Sequence, residues 1–355
     1  MTSVWDLPDF DDHEVVHFVH DRISGLSAII ALHSTALGPG AGGTRFWHYA
    51  HREHAVTDAL RLSRGMSYKN AMAGLPMGGG KAVILADENG TKTPEMLAAF
   101  GDAIEGLGGR YVTAEDVGIT DADMVAVSQR TRYVSGLPVS DASSAGGDPG
   151  PFTSHGVYLG VKAAVAEGLK TDSVRDVRIA IQGVGSVGSG LARLLTADGA
   201  KLVLADVNND RAAALAEELG AEHVASDAIM GVDADVFSPN ALGAILDEKT
   251  IPGLKPKIIA GGANNQLAKA EHAQLLHRQG IVYAPDYVIN AGGIISVALE
   301  YLAQRDGEPC SREQVMERVG RIPERLKAIW QESAERDMPA ANVADAMAQK
   351  RIGRA

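Results

Sequence analysis

Three groups of residues have the types and spacing to do chemistry. The first is Gly183-Val184-Gly185-Ser186-Val187-Gly188, a G-x-G-x-x-G. The apolar run Ile179-Ala180-Ile181 leads into it, and Leu191, Leu194 and Leu195 follow at helical spacing. A second apolar run, Leu202-Val203-Leu204-Ala205, ends at Asp206. In such a strand–turn–helix–strand unit each part has a mechanical task. Gly183 permits the tight turn, Gly185 lets the backbone approach a pyrophosphate, and Gly188 lets the helix pack closely on the strand. The start of the following helix favours the phosphate charge. Asp206 is expected to accept hydrogen bonds from the adenosine ribose and to repel a 2′-phosphate, so the unit predicts NAD rather than NADP. A turn that binds nothing is the alternative, and the complete unit rather than the bare motif argues against it.

The second group is a pair of lysines. Lys69 stands among small and apolar residues in Gly65-Met66-Ser67-Tyr68-Lys69-Asn70-Ala71-Met72, and Lys81 follows Gly78-Gly79-Gly80 directly before the apolar run 82–85. Burial disfavours an ammonium ion, which suits a lysine to general-base work near neutral pH, and two neighbouring lysines depress each other further. Two surface lysines with snorkelling stems are the plain alternative. The Gly-Gly-Gly-Lys run is not a nucleotide-triphosphate loop, because Leu75 and Ala82 stand where that loop needs Gly and Ser or Thr. The third group is Glu115 and Asp116, two carboxylates at the end of the strand-like Tyr111-Val112, a site fit for an acid/base partner, with an exposed turn as the alternative. Asn264, in the loop after Ile258-Ile259-Ala260, is placed to contact a ribose or carboxamide, with turn formation as an equal alternative.

One motif misleads. His13-Glu14-Val15-Val16-His17 matches a zinc-protease helix. Its β-branched residues read as a strand, which would hold the two histidines about 13 Å apart, too far for one zinc. No metal site is expected.

The elements that must position these residues are legible from periodicity. Residues 15–19 and 28–32, around Ser24-Gly25, read as a hairpin. From Arg52 a three-to-four spacing predicts a helix, and Thr93-Pro94 opens another as cap and first residue. The turn-forming run Ser143-Ser144-Ala145-Gly146-Gly147-Asp148-Pro149-Gly150 marks a boundary. Residues 156–166 then read as a helix, and from Val177 strands and helices alternate, which implies a parallel sheet. The tail from Arg312 is helical and charged.

Size and composition agree. The 355 residues suggest two domains. With 33 Lys+Arg against 45 Asp+Glu the net charge of −12 argues against a nucleic-acid or anionic-membrane partner. Cys310 is the only cysteine, which excludes an intrachain disulfide or a cysteine metal cluster. No run approaches a membrane span, and no basic-then-apolar leader opens the sequence, so a cytoplasmic protein is expected.

Taken together, the sequence resembles the amino-acid dehydrogenases of the glutamate/leucine/phenylalanine/valine family over nearly the whole chain. The resemblance rests on Gly42-Gly43-Thr44-Arg45, Arg64 to Ala71, Leu75-Pro76-Met77-Gly78-Gly79-Gly80-Lys81, Thr113-Ala114-Glu115-Asp116-Val117-Gly118 and Asn290-Ala291-Gly292-Gly293. The lysine segment and Thr153-Ser154-His155-Gly156-Val157-Tyr158 look most like the leucine dehydrogenase branch. The resemblance implies an α/β fold of two domains across a cleft: a substrate and catalytic domain (residues 1–140, rejoined by helices of about 325–355) and a Rossmann domain (141–324). It implies that Lys69 binds the substrate α-carboxylate, Lys81 activates water and Asp116 moves protons at the amino group. Ala41, Gly42, Gly43, Ala114, Asn290, Ile294 and Val297 would line the substrate, and Thr153 would help hold the nicotinamide end. Members are homo-oligomers.

The implied chemistry is oxidative deamination of an L-amino acid to a 2-oxo acid and ammonia, and its reverse. Glutamate-specific members place a lysine just before the Gly-Gly pair, where this chain has Ala41. A buried substrate carboxylate would lack a partner there, at a cost on the order of several kcal/mol. An apolar substrate is therefore expected: leucine, valine or isoleucine, with room at Ala41 for phenylalanine. Two alternatives remain. A 2-hydroxy-acid oxidoreductase needs a His–carboxylate pair that no histidine here obviously supplies. A non-catalytic NAD-binding sensor predicts loss of Lys69, Lys81 or Asp116, and all three are present.

Overall fold

A computed structural model describes residues 3–138 and 147–354. Residues 143–146 of the expected boundary loop, and the expected division at 140/141, lie outside them. The chain divides into two compact units, one of Met1–Asp148, Ser296–Arg312 and Ala348–Ala355, the other of Pro149–Ile295 and Glu313–Met347.

The first unit runs β1 (Val15–His20), β2 (Ser27–Ser34), β3 (Gly40–Trp47), α1 (Arg52–Ala73), β4 (Gly78–Leu85), α2 (Pro94–Glu105), β5 (Tyr111–Glu115) and α3 (Asp121–Ser128). Its five-stranded sheet has the order β1-β2-β4-β3-β5. β1 and β2 form the expected antiparallel hairpin, while β3 lies parallel to both β4 and β5. Because β1 is a strand, His13 and His17 share no helix face. His13 is instead buried, its Nε2 2.9 Å from the Leu60 carbonyl. Alternation along the strands builds two layers. Ala82 and Ile84 of β4 join Leu32, Phe100, Ile104 and Tyr111 in one core, and Val83 joins Ala55 and Ala59 of α1 in the other. Lys81 has the parity of Val83, so β4 presents it on the α1 side. The helix read from Arg52 continues through Ala73, so Lys69 is helical, and it ends at Gly74 in the left-handed region (φ 66°). Thr93 caps α2 as expected, its hydroxyl accepting from the Met96 N–H with Pro94 in the first turn.

The second unit opens with α4 (Gly150–Leu169), which starts six residues before the expected 156 because Pro151 is tolerated in a first turn. Then follow β6 (Arg178–Gln182), α5 (Ser186–Ala197), β7 (Lys201–Ala205), α6 (Asn209–Leu219), β8 (Glu222–His223), β9 (Val236–Pro239), β10 (Ile258–Ile259), α7 (His272–Arg278), β11 (Val282–Tyr283) and α8 (Asp286–Ile289). The sheet order is β11-β10-β9-β6-β7-β8, with each pair parallel. Strand order reverses between β6 and β9, the switch point at which such sheets bind ligands. α9 (Gly292–Asp306), α10 (Arg312–Val319), α11 (Ile322–Arg336) and α12 (Ala340–Arg351) complete the chain. Of the tail expected to rejoin the first unit, only Ala348–Ala355 groups with it. Glu313–Met347 stays with the second unit, where Trp330 donates its indole N–H to the Tyr283 carbonyl at 2.8 Å.

Candidate active site

In the first unit, Lys81 is 6% exposed in the middle of β4. Its Nζ donates to Asp116 Oδ2 at 2.6 Å, just past the end of β5. Gly43 makes this approach possible, because a Cβ there would stand 2.8 Å from Asp116 Cβ and 2.6 Å from the Glu115 carbonyl. Burial pushes the Lys81 ammonium down, and Asp116 offsets only part of that. For Asp116 the balance is reversed: burial raises it, but Lys81 and Arg45 outweigh burial and hold it below the usual carboxylate range. The two together can hold one mobile proton, with Lys81 buried and Asp116 partly open to solvent. Glu115, the other carboxylate of the motif, is pushed up to about 7, by burial first and then by Asp121 and Asp148. The structure therefore separates the two: Asp116 faces the lysine and Glu115 faces other acids.

Ala41 is buried on β3, in register with Gly79 of β4 and Val112 of β5, and Gly42 and Gly43 pair with Thr113 and Ala114. Lys69 is half-buried on α1. Arg45, two residues beyond Gly43 on the same strand, reaches the same Asp116 oxygen through Nε at 3.3 Å.

In the second unit Gly183 and Gly188 take the backbone roles that their spacing predicts. Gly183 has φ 88°, and a Cβ at Gly188 would stand 1.9 Å from the Gly183 carbonyl oxygen. A Cβ at Gly185 would meet nothing within 4 Å, so open space lies in front of the start of α5, where Ser186 and Val187 fall in the first turn. That cradle fits a pyrophosphate. Asp206 closes β7 and accepts the Val184 N–H at 2.8 Å and the Asn208 N–H at 2.8 Å. Arg211 Nη2 lies 2.8 and 2.9 Å from its two oxygens, a partner that strand periodicity gives no means to find. Burial raises the Asp206 carboxyl, but these donors hold it below its ordinary value, so it is ionised.

A second cluster lies past β9 and β10. Asn240 Oδ1 accepts the Gly262 N–H at 2.8 Å, and Asn290 donates to the Gly262 carbonyl at 3.1 Å and to Asn264 Oδ1 at 2.8 Å. Asn264 and Asn290 are thus brought together, and Asn240, just past β9, joins them through Gly262. Thr153 donates to the Pro149 carbonyl, and its Oγ1 would be 2.8 Å from a Cβ on Gly293. Ile294 and Val297, both on α9, fall on opposite sides of the division between units.

Residues 13–133 match the family described as Glu/Leu/Phe/Val dehydrogenase, dimerisation domain, and residues 204–355 match Glutamate/Leucine/Phenylalanine/Valine dehydrogenase. The chain belongs to the Glu/Leu/Phe/Val dehydrogenase family. It is 48% identical to a leucine dehydrogenase of Geobacillus stearothermophilus over 96% of this chain and 91% of that one. Identity is 44% to a valine dehydrogenase of Streptomyces albus, over 98% and 94%. The L-tryptophan dehydrogenase structure from Nostoc punctiforme superposes with a TM-score of 0.84 at 41% identity, covering 96% of both chains. A hetero-hexameric glutamate dehydrogenase from Thermus thermophilus shares the fold, with a TM-score of 0.77 over 96% of this chain and 88% of that one, at 20% identity. The protein is accordingly an amino-acid dehydrogenase, an oxidoreductase of a family that uses NAD(P). Among the described residues no helix is long and apolar enough to cross a membrane.

Proposed function

We propose that this dehydrogenase deaminates apolar L-amino acids oxidatively with NAD, giving the 2-oxo acid and ammonia, and runs the reverse amination. The observation that carries the reading is the buried Lys81 ammonium bonded at 2.6 Å to the partly exposed Asp116 carboxylate. Bound NAD supplies the hydride acceptor for Cα. This chain's own residues supply the rest. Lys69 holds the α-carboxylate as an ammonium ion. Lys81, disposed to lose its proton by burial, takes a proton from water as that water adds to the iminium carbon. Asp116, hydrogen-bonded to Lys81, receives that proton and passes it to the departing nitrogen. Ammonia leaves as the new hydroxyl group gives its proton to Lys81, neutral again by then, and the 2-oxo acid remains. The glycines of 183–188 and the start of α5 hold the pyrophosphate, Asp206 the adenosine ribose, and Thr153, Asn264 and Asn290 the nicotinamide end and the substrate.

Selectivity for an apolar side chain rests on Ala41. It is uncharged and 5% exposed, and a carboxylate-bearing side chain beside it would lose its hydration without gaining a partner. Leucine, valine and isoleucine are the substrates this favours, with space at Ala41 for a larger group. A homo-oligomer in the cytoplasm completes the proposal, supported by the family. NADH formation over a panel of L-amino acids is the test: activity with leucine, valine, isoleucine or phenylalanine and little with glutamate is expected. Turnover of glutamate alone, or of no amino acid, overturns the reading.

A further inference from the structure

Two cations converge on one oxygen of Asp116. Lys81 Nζ is 2.6 Å from Oδ2 and Arg45 Nε is 3.3 Å from the same atom. The other arm of Arg45 does not point to water: Nη1 donates to Asp58 Oδ2 at 2.8 Å. Asp58 is itself fixed, since the Tyr49 hydroxyl donates to Oδ2 at 2.8 Å and Arg61 to Oδ1 at 3.0 Å. Tyr49 is held protonated, by burial first and then by Asp58. The result is one line, Lys81–Asp116–Arg45–Asp58–Tyr49, that links β4, the end of β5, β3 and α1. The Arg45 and Asp58 side chains are 22% and 18% exposed, so the line is only partly screened by water.

We propose that Arg45 is a positioning residue that sets the proton balance of the Lys81–Asp116 pair, and that Asp58 controls how much of the Arg45 charge reaches that pair. The inference rests on the catalytic roles proposed above for Lys81 and Asp116. The physical reason is competition. A lone carboxylate would grip the ammonium form of Lys81 and resist its loss of a proton. A guanidinium on the same oxygen takes up part of that negative charge and weakens the grip. Arginine suits the position because it stays charged and its fork reaches two carboxylates in fixed geometry. Asp58, by drawing on the other arm, returns some of that effect. Other titratable or charged groups on the elements that meet here include Arg64, Tyr68 and Lys69 on α1, with Arg52, Glu53 and His54 in its first turn, and Tyr111 and Glu115 on β5. Tyr111 is buried and Glu115 faces Asp121.

The two carboxylates flanking Arg45 make the proposal directional. Arg45→Gln removes the competing cation, so the rising limb of kcat/KM for deamination, which requires neutral Lys81, moves up by about one pH unit. Asp58→Asn releases more of the Arg45 charge toward the pair, so the same limb moves down, by roughly half as much. Arg45→Lys keeps the charge and brings the limb most of the way back. A structural defect would lower activity without moving the two limbs in opposite directions. Protein carrying lysine labelled with ¹³C at the ε-carbon gives a second readout, the Lys81 titration by NMR without turnover, and the same opposite displacements are expected. If the wild type turns over no amino acid, the catalytic reading fails, while the NMR titration still judges the network. Should Arg45→Gln not fold, Asp58→Asn and Arg45→Lys carry the comparison. An unmoved Lys81 titration, or movement of both variants in the same direction, overturns the proposal.

Discussion

Asp206 carries a charge that would repel a 2′-phosphate, yet Arg211 sits across both of its oxygens. The two side chains pull cofactor choice in opposite directions. Asp206→Ala should narrow the preference for NAD over NADP by roughly tenfold in Kd, about the 1.4 kcal/mol of one charged contact. Arg211→Ala should widen it, because the carboxylate is then uncompensated. Calorimetric titration with each cofactor checks both, and an unchanged ratio in either variant counts against that residue's part. Glu300 on α9 offers a pH test. Burial pushes its carboxyl up to about 7 against the pull of the Leu137 and Gly136 N–H groups, and its Oε2 has no hydrogen-bond partner among the described residues. The unfolded chain ionises this group first as pH rises, so the folded state loses stability between its ordinary value and about 7. Glu300→Gln should therefore raise Tm more at pH above that window than below it. A gain that does not vary with pH would show that the carboxyl does not titrate late.

At the scale of elements, the β6–α5–β7 unit depends on one close approach. A Cβ on Gly188 would sit 1.9 Å from the Gly183 carbonyl oxygen, so Gly188→Ala must push α5 off the strand, at about 1–3 kcal/mol. Loss of dinucleotide affinity together with a lowered Tm is expected, and wild-type affinity would mean that α5 tolerates the shift. This unit was readable from sequence because its glycines, its apolar runs and Asp206 each answer to a local rule. Other parts were not. Arg45 follows Gly43 by two and shares its face, but seeing this requires knowing that β3 runs unbroken through two glycines, which ordinarily weaken strands. Arg211 meets Asp206 only because α6 turns back over the end of β7. The extent of α1 through Ala73 was hidden because Gly65 and Ser67 are poor helix formers, overruled by packing on β4. The division of the tail between the two units is likewise set by tertiary burial of Leu326, Ile329 and Trp330, which a charged helical pattern does not reveal.

For the whole molecule, the edge strand β1, with Phe18 58% exposed, offers an unpaired edge to a second copy of a protein proposed to be a homo-oligomer. Sedimentation should give a mass that is a multiple of 37.2 kDa, whereas a monomer at all concentrations would contradict this. The last residues are tied in as well: Arg354 donates to the Asp12 carbonyl at 2.7 Å and the His33 carbonyl at 2.6 Å, which joins the chain's end to its first strands. What matters most is whether the buried lysine does the chemistry. NADH formation from L-leucine should be measured for the wild type and Lys81→Ala, alongside NAD binding by each. Loss of at least about a thousandfold in kcat, with NAD affinity held within about twofold, is the expected result for removal of a general base. Retention of substantial turnover without that amine would contradict the assignment of the proton chemistry to the Lys81–Asp116 pair.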